Sequence, residues 1–219
     1  MIGGGHPSLL VTLDGMAGAG KTTTVRLLGP HLRNMGYRVH TTAEPTSDML
    51  GELARHNTDL YRAESLACLV AADRYHHLET EIEPHLQEGE IVVCDRYIAS
   101  SYVLQQLDGV PLAFVDALNS RARRPDLAVL LVTDPAVAAS RVAVRGAHDR
   151  FQGGISASKA EAGMYSAAAS YLSRLGTPAV LVIDTTNQEL RQVVETIAQR
   201  IADRLAEPSR YPNDQGANA

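Results

Sequence analysis

Lysine is almost absent from this chain. Two lysines, Lys21 and Lys159, stand against eighteen arginines. Such a bias follows genome composition over most of the sequence, so Lys21 marks a place where arginine was not used. No Lys/Arg block stands out and the net charge is −5. That excludes broad electrostatic binding of nucleic acid, which needs a basic face, but not a small anionic ligand, for which a few placed arginines suffice. Cysteine is scarce too. Cys68 and Cys94 lie far apart in apolar surroundings, without the Cys/His spacing of a metal site, and read as two buried free thiols. No apolar run reaches membrane-spanning length. Met1 to Pro7 has no basic segment followed by an apolar one, so no signal peptide is read and a cytoplasmic location is expected.

What is present is ordinary for a soluble globular protein. The chain has 219 residues, 45% hydrophobic and 21% charged, enough for one domain with a full core. Unbroken β-branched and Leu runs predict buried strands at Leu9 to Leu13, Ile91 to Cys94, Leu127 to Val132 and Val180 to Ile183, with a weaker one at Tyr37 to Thr42. Helices are predicted at Lys21 to Met35, in a long segment from Leu66 to Gly89, from Pro135 to Arg145, from Ser158 to Leu175 and from Gln188 to Leu205. The alternation gives an α/β fold, a five-stranded parallel sheet with helices on both faces. A single domain over residues 1–206 is expected. Gly146 to Ala157, with three glycines, reads as a short lid, and 207–219 as a disordered tail.

Directly after the first strand, Gly15-Met16-Ala17-Gly18-Ala19-Gly20-Lys21-Thr22 fits G-x-x-x-x-G-K-[ST] completely. Glycines let successive N–H groups point at one phosphate, and the following helix adds the positive end of its dipole. Lys21 supplies a charge to the β- and γ-phosphates, and the Thr22 hydroxyl can ligate Mg²⁺. Phosphate binding is the firmest functional reading. It does not by itself distinguish a kinase from a GTPase or a motor ATPase.

The strand Ile91 to Cys94 runs into Asp95-Arg96-Tyr97. A carboxylate there lies within reach of Mg²⁺ or its waters, and the neighbouring guanidinium can hold a second phosphate by paired N–H bonds. Arg141, Arg145 and Arg150 flank or sit in the lid. An arginine that closes over a transferring phosphoryl group contributes ~10³–10⁵ in rate in comparable systems.

These motifs, together with Glu44-Pro45, Ala71-Ala72-Asp73-Arg74, Asp95 to Ser101, Arg124-Pro125-Asp126-Leu127, and Arg145-Gly146 with Asp149-Arg150-Phe151, closely resemble thymidylate kinases from about Leu9 to Arg204. The resemblance implies ATP- and Mg²⁺-dependent phosphorylation of a nucleoside monophosphate, in the family dTMP to dTDP, by a homodimer. It implies that Gly15, Met16, Ala17, Gly18, Ala19, Gly20, Lys21, Thr22 and Thr23 hold ATP, that Thr22 and Asp95 hold the metal, and that Arg96 holds the acceptor phosphate. Arg74 then reads the acceptor base, and Asp14, Glu44, Val70, Ser101 and Leu104 complete the acceptor side. Gly18 stands where one branch of the family has a catalytic arginine, which makes Arg145 and Arg150 the candidates here.

The chain also departs from the family. Ala17 replaces the usual acid, Ala43 an arginine, and Val70 and Leu104 two aromatic residues around the base. Val70 and Arg74 are four apart on a helix and face one pocket. A changed acceptor, such as a modified pyrimidine nucleotide or a different sugar, is therefore an alternative to dTMP. A P-loop regulatory ATPase and a deoxynucleoside kinase are two further alternatives, and both would leave Arg96 without a phosphate to hold. Adjacent His76 and His77 cannot easily share one metal on a helix and read as exposed. Asp73 is either a helix-face charge or orients Arg74. Tyr165 and Tyr171 read as packing residues.

Overall fold

The structure is a computed structural model that describes residues 8–146, 151 and 154–207. Five strands, β1 (Leu9–Gly15), β2 (Val39–Ala43), β3 (Ile91–Asp95), β4 (Leu127–Val132) and β5 (Val180–Asp184), form one parallel sheet in the order β2-β3-β1-β4-β5. All seven residues of the central strand β1 are buried. Its leucines and valine have apolar neighbours on both faces, which is why the run does not alternate. Each such side chain contributes about 1.5–3 kcal/mol by leaving water.

Nine helices surround the sheet among the described residues. They are α1 (Lys21–Asn34), α2 (Met49–His56), α3 (Ala63–His77), α4 (Glu83–Gln87), α5 (Ile98–Leu107), α6 (Leu112–Asn119), α7 (Pro135–Arg145), α8 (Gly154–Arg174) and α9 (Leu190–Ala206). Helix α1 packs against α9, and α5 packs against α3, α6 and α8. At α7 the Asp134 carboxylate accepts from the N–H groups of Ala136 and Val137 at 2.8 and 3.2 Å, and Pro135 fills the first position, where no donor is needed.

The register sets the carboxyl ends of the strands side by side. Leu13 lies opposite Asp95 of β3, Ala43 of β2 lies opposite the same residue, and Gly15 lies opposite Leu131 of β4. Backbone bonds continue past the strand ends, from Glu44 N to Asp95 O (2.9 Å), Arg96 N to Leu13 O (2.9 Å) and Met16 N to Leu131 O (3.1 Å). The residues that follow β1, β2 and β3 are thereby fixed relative to one another, on the side where ligands bind in such sheets.

At the level of the fold, the structure departs from the sequence-based expectations in four places. The long segment ending at Gly89 is not one regular helix. After α3 it passes through a π-helical turn, Leu78–Ile82, into α4. Pro84 has no N–H to give the carbonyl of residue 80, and the wider turn takes up the mismatch. Helices α2, α5 and α6 were not anticipated. Seven of the ten residues of α5 are buried, so it lacks a polar face and a readable period. Helix α8 starts at Gly154, so residues 154–157 of the expected lid are its first turn, with Ser158 Oγ bonded to Gly154 O at 3.2 Å. Residues 147–150 and 152–153, Arg150 among them, and 208–219 lie outside the described residues. Finally, Cys94 is buried but Cys68 is exposed, because it lies on the outward side of α3.

Candidate active site

The loop between β1 and α1 is shaped by close backbone approach. A Cβ on Gly15 (φ 141°) would lie 2.0 Å from Leu131 O, and one on Gly18 (φ 80°) 2.7 Å from Ala138 O. No side chain fits at either position, so the loop folds tightly against β4 and α7. Gly20 (φ 95°) has open space around it, and there only the left-handed backbone requires glycine. Lys21 opens α1 and is 5% exposed. Its ammonium donates to the Gly15 and Met16 carbonyls at 2.7 and 2.9 Å. Burial, reinforced by the positive charge of Arg96, lowers its pKa to about 7 against the pull of Asp95, Glu161 and Asp14.

Thr22 Oγ donates to Asp95 Oδ2 at 2.5 Å. The other carboxylate oxygen, Oδ1, is buried with no hydrogen-bond partner among the described residues. A hydroxyl and a carboxylate in contact, with one oxygen unsatisfied, fit a Mg²⁺ ion that takes few protein ligands and keeps its waters. A cavity of about 460 Å³ opens beside this pair, with Arg26, Thr46, Asp48, Arg55 and Glu81 in its walls. Val70 and Leu104, both half-buried, do not line it.

Arg96 has φ 71°, a left-handed conformation that is rare for a residue with a long side chain and recurs at functional sites. Its charge acts on Lys21 and on Tyr165, so the cation following β3 and the cation opening α1 belong to one electrostatic neighbourhood.

Arg74 lies deeper than its expected role requires. It is 1% exposed. Its Nε and Nη2 meet Glu44 Oε2 at 2.8 and 2.7 Å, Nη1 donates to Asn119 Oδ1, and the guanidinium covers the Tyr97 ring at 5.1 Å. Glu44, 4% exposed, is also shared with His77, whose Nδ1 is 3.3 Å from Oε1. His77 Nε2 in turn lies 2.8 Å from Thr42 Oγ1. The expectation of an exposed His77 is thus corrected. The inner side of α3 faces the end of β2, where Thr42 and Glu44 supply polar partners. Asp73 does neither of the two things expected of it. It is fully buried and accepts from Thr46 N and Oγ1 at 2.8 and 2.6 Å, which fixes the loop after β2.

Asp14 does not line this cavity. It is fully buried. Oδ1 accepts from Tyr97 N, Ser100 N and Ser100 Oγ at 2.8, 2.9 and 2.6 Å, which ties β1 to the start of α5. Burial raises its pKa, partly offset by those three hydrogen bonds. Ser101 is likewise 3% exposed. Of the arginines near the expected lid, Arg141 reaches the phosphate loop, its Nη1 donating to Gly18 O at 3.2 Å. Arg145 is exposed and turns to Gly146 O at 3.5 Å.

Three participants have no signature in the sequence. Glu161 of α8 accepts from Ala17 N at 3.0 Å across 144 positions. Asn119 of α6 and His77 of α3 complete the surroundings of Arg74 and Glu44. Only their position in the fold identifies them.

A strand–glycine loop–helix unit with a buried lysine, a Thr–carboxylate pair at the adjacent strand end and a second cation next to that carboxylate in sequence define a P-loop phosphotransferase. The family model described as thymidylate kinase matches residues 13–197. This chain belongs to the thymidylate kinase family, whose members are nucleoside monophosphate kinases. It is 37% identical over 148 residues to a protein of Caldivirga maquilingensis named probable thymidylate kinase, covering 66% of this chain and 72% of that one. The match to a probable thymidylate kinase of Pyrococcus horikoshii is 39% over 151 residues, covering 64% and 73%. A thymidylate kinase of Xanthomonas campestris pv. campestris is 34% identical over 203 residues, covering 90% and 86%.

Proposed function

We propose that the chain phosphorylates dTMP to dTDP with ATP and Mg²⁺. The observation that carries this reading is the nearness of two cations, Lys21 at the start of α1 and Arg96 just after β3, whose charges act on each other beside the Thr22–Asp95 contact. A hydrolase acting on ATP alone needs a single anion site, and a kinase for a neutral acceptor has no phosphate for Arg96. Transfer between two phosphate-bearing nucleotides uses both cations.

In this reading the amides of residues 15–23 and Lys21 hold the donor phosphates. Arg96 holds the acceptor phosphate in line with them. An acceptor oxygen attacks the γ-phosphorus, a P–O bond forms, the bond to the β–γ bridging oxygen breaks, and ADP leaves with the electron pair. The second ionisation of a phosphate monoester lies near pH 6 (about 6), so the attacking oxygen is already anionic and needs no general base. Asp95 then serves with Thr22 as the holder of Mg²⁺, which when bound offsets charge on the phosphate oxygens. Arg141 supplies positive charge beside the loop, and Arg145 and Arg150 stay candidates for the same task. Glu44, Arg74 and Asn119 form the floor of the acceptor side, with Val70, Ser101 and Leu104 towards the base, and Asp14 belongs to the same side. A homodimer, implied by the family likeness, belongs to the same reading and is measured by sedimentation.

Incubation with ATP, Mg²⁺ and dTMP should yield ADP and dTDP in equal amounts. ADP without dTDP would replace this reading with hydrolysis. Turnover on other monophosphates that exceeds turnover on dTMP would replace the acceptor.

A further inference from the structure

Helix α8 puts two polar side chains into the loop region from one face. Glu161 and Tyr165 are four residues apart, hence neighbours on the helix, and are 3% and 0% exposed. Tyr165 OH lies 3.4 Å from Ser100 Oγ and feels the charge of Arg96. Glu161 Oε2 accepts the Ala17 amide hydrogen at 3.0 Å, and its negative charge acts on Lys21. The loop that the phosphate motif assigns to an anion therefore already holds one, and that anion comes from the protein.

The position of the contact matters. In a loop of this kind the amides nearest the helix, with the helix dipole, hold the inner phosphates, and the lysine extends toward the β- and γ-phosphates. Ala17 is the third residue of the loop and lies before Gly18 and Gly20. By that order its amide would serve the outer end of the phosphate chain rather than the inner one. We propose that Glu161 and the terminal phosphate of the donor compete for the Ala17 amide and the field of Lys21, so that Glu161 sets which nucleotides the loop retains. A donor that carries the terminal phosphate must displace the carboxylate. A nucleotide without it leaves Glu161 in place. Displacement of Glu161 also frees its segment of α8 from the loop, and Tyr165 on the same face carries that change toward Ser100 and Arg96 on the acceptor side. The inference rests on the loop's being the donor site.

The test is equilibrium binding of ATP, ADP and AMP with Mg²⁺, without acceptor, to the wild type, Glu161→Gln and Glu161→Asp. Gln preserves shape and removes the charge, and Asp retracts the carboxylate by one methylene. Both should bind ATP more tightly, Gln by about tenfold as expected for loss of one charge-assisted competitor, with AMP unchanged. The KM for ATP should fall in parallel. Amide exchange at Ala17 gives a direct reading, being slow in the wild type without nucleotide, faster in Glu161→Asp, and slow again in both with Mg·ATP. Equal or weaker ATP binding by both variants would overturn the competition, as would a gain of the same size for AMP. Melting curves identify a variant that fails to fold, and the other variant together with the wild-type Ala17 exchange then decides. Wild type that binds no ATP, or binds it equally well as Lys21→Ala, would instead overturn the donor-site assignment.

Discussion

The hydroxyl of Thr22 and the carboxylate of Asp95, 73 positions apart, meet at 2.5 Å where the first turn of α1 passes the end of β3. Asp95 keeps its second oxygen buried and without a partner among the described residues. Replacing Asp95 by Asn leaves the shape and removes the charge that fits a divalent cation. The Asp95→Asn variant should need more Mg²⁺ for half-maximal rate and lose about 10²–10³ in kcat, the scale of one lost charge-stabilising group. A Mg²⁺ titration of initial rates checks this, and an unchanged titration midpoint would remove Asp95 from the metal site.

Lys21 gives a pH prediction. Its folded pKa, lowered to about 7 from 10.5, means that part of the population is neutral just above neutrality. Donor phosphates stabilise the charged form, so Mg·ATP binding at pH 8 should take up a proton. Affinity should fall as pH rises through 7 and 8, by up to about tenfold per unit. Calorimetry in two buffers of different ionisation enthalpy measures the uptake. The stability of the protein without nucleotide has the opposite sign for this group. Between pH 7 and 10.5 the unfolded chain binds the extra proton, so the contribution of Lys21 rises with pH in that window.

The Arg74–Glu44 pair is buried on both sides, with 2% of each side chain exposed. Removing the guanidinium alone leaves an uncompensated carboxylate inside the protein. Arg74→Ala should lower the unfolding free energy by about 3–5 kcal/mol, read from urea denaturation. A loss below about 1 kcal/mol, the value of an exposed pair, would mean that water reaches Glu44.

Two glycines of one loop should respond differently. Gly15→Ala drives a Cβ to 2.0 Å from the Leu131 carbonyl, whereas Gly20→Ala meets open space and bears only its φ of 95°. The second substitution should cost about 1–2 kcal/mol. The first should cost more, because β1 or β4 has to shift. Comparing the denaturation midpoints of the two variants tests the ranking.

Arg96→Ala should raise the KM for dTMP by about 10² or more, as loss of a bidentate charged contact implies, and change the KM for ATP much less. Parallel rises in both constants would contradict a separate acceptor role. Steady-state kinetics with each substrate varied in turn gives the answer.

The sheet could be read in advance because its signal is local. β1, β3, β4 and β5 are runs rich in β-branched and Leu residues, with only β2 (Val39–Ala43) weakly marked, and the glycine loop carries its residues within eight consecutive positions, Gly15 to Thr22. Helix α5 was hidden because burial on nearly all sides erases a period. The site was legible where chemistry clusters in sequence, at Lys21, Thr22, Asp95 and Arg96. It was illegible where partners meet only after folding. Nothing near Ala17 announces Glu161, nothing near Arg74 announces Asn119, and His77 looked like a surface residue beside His76 until β2 was set against α3. For Asp14 the family resemblance implies an acceptor-side role, and the structure adds partners the sequence did not show, three donors from Tyr97 and Ser100 on one of its oxygens.

The scarcity of lysine has a practical side. Lys159 is exposed on α8, and Lys21 is enclosed by the loop it serves, with its pKa lowered to about 7. Amine-directed reagents therefore find only two lysine side chains in this protein. One is accessible to any of them, and the other is the better nucleophile but is screened by its surroundings. A nucleotide carrying an acylating group would label Lys21 in preference to Lys159, giving a chemical tag whose yield counts occupied loops directly.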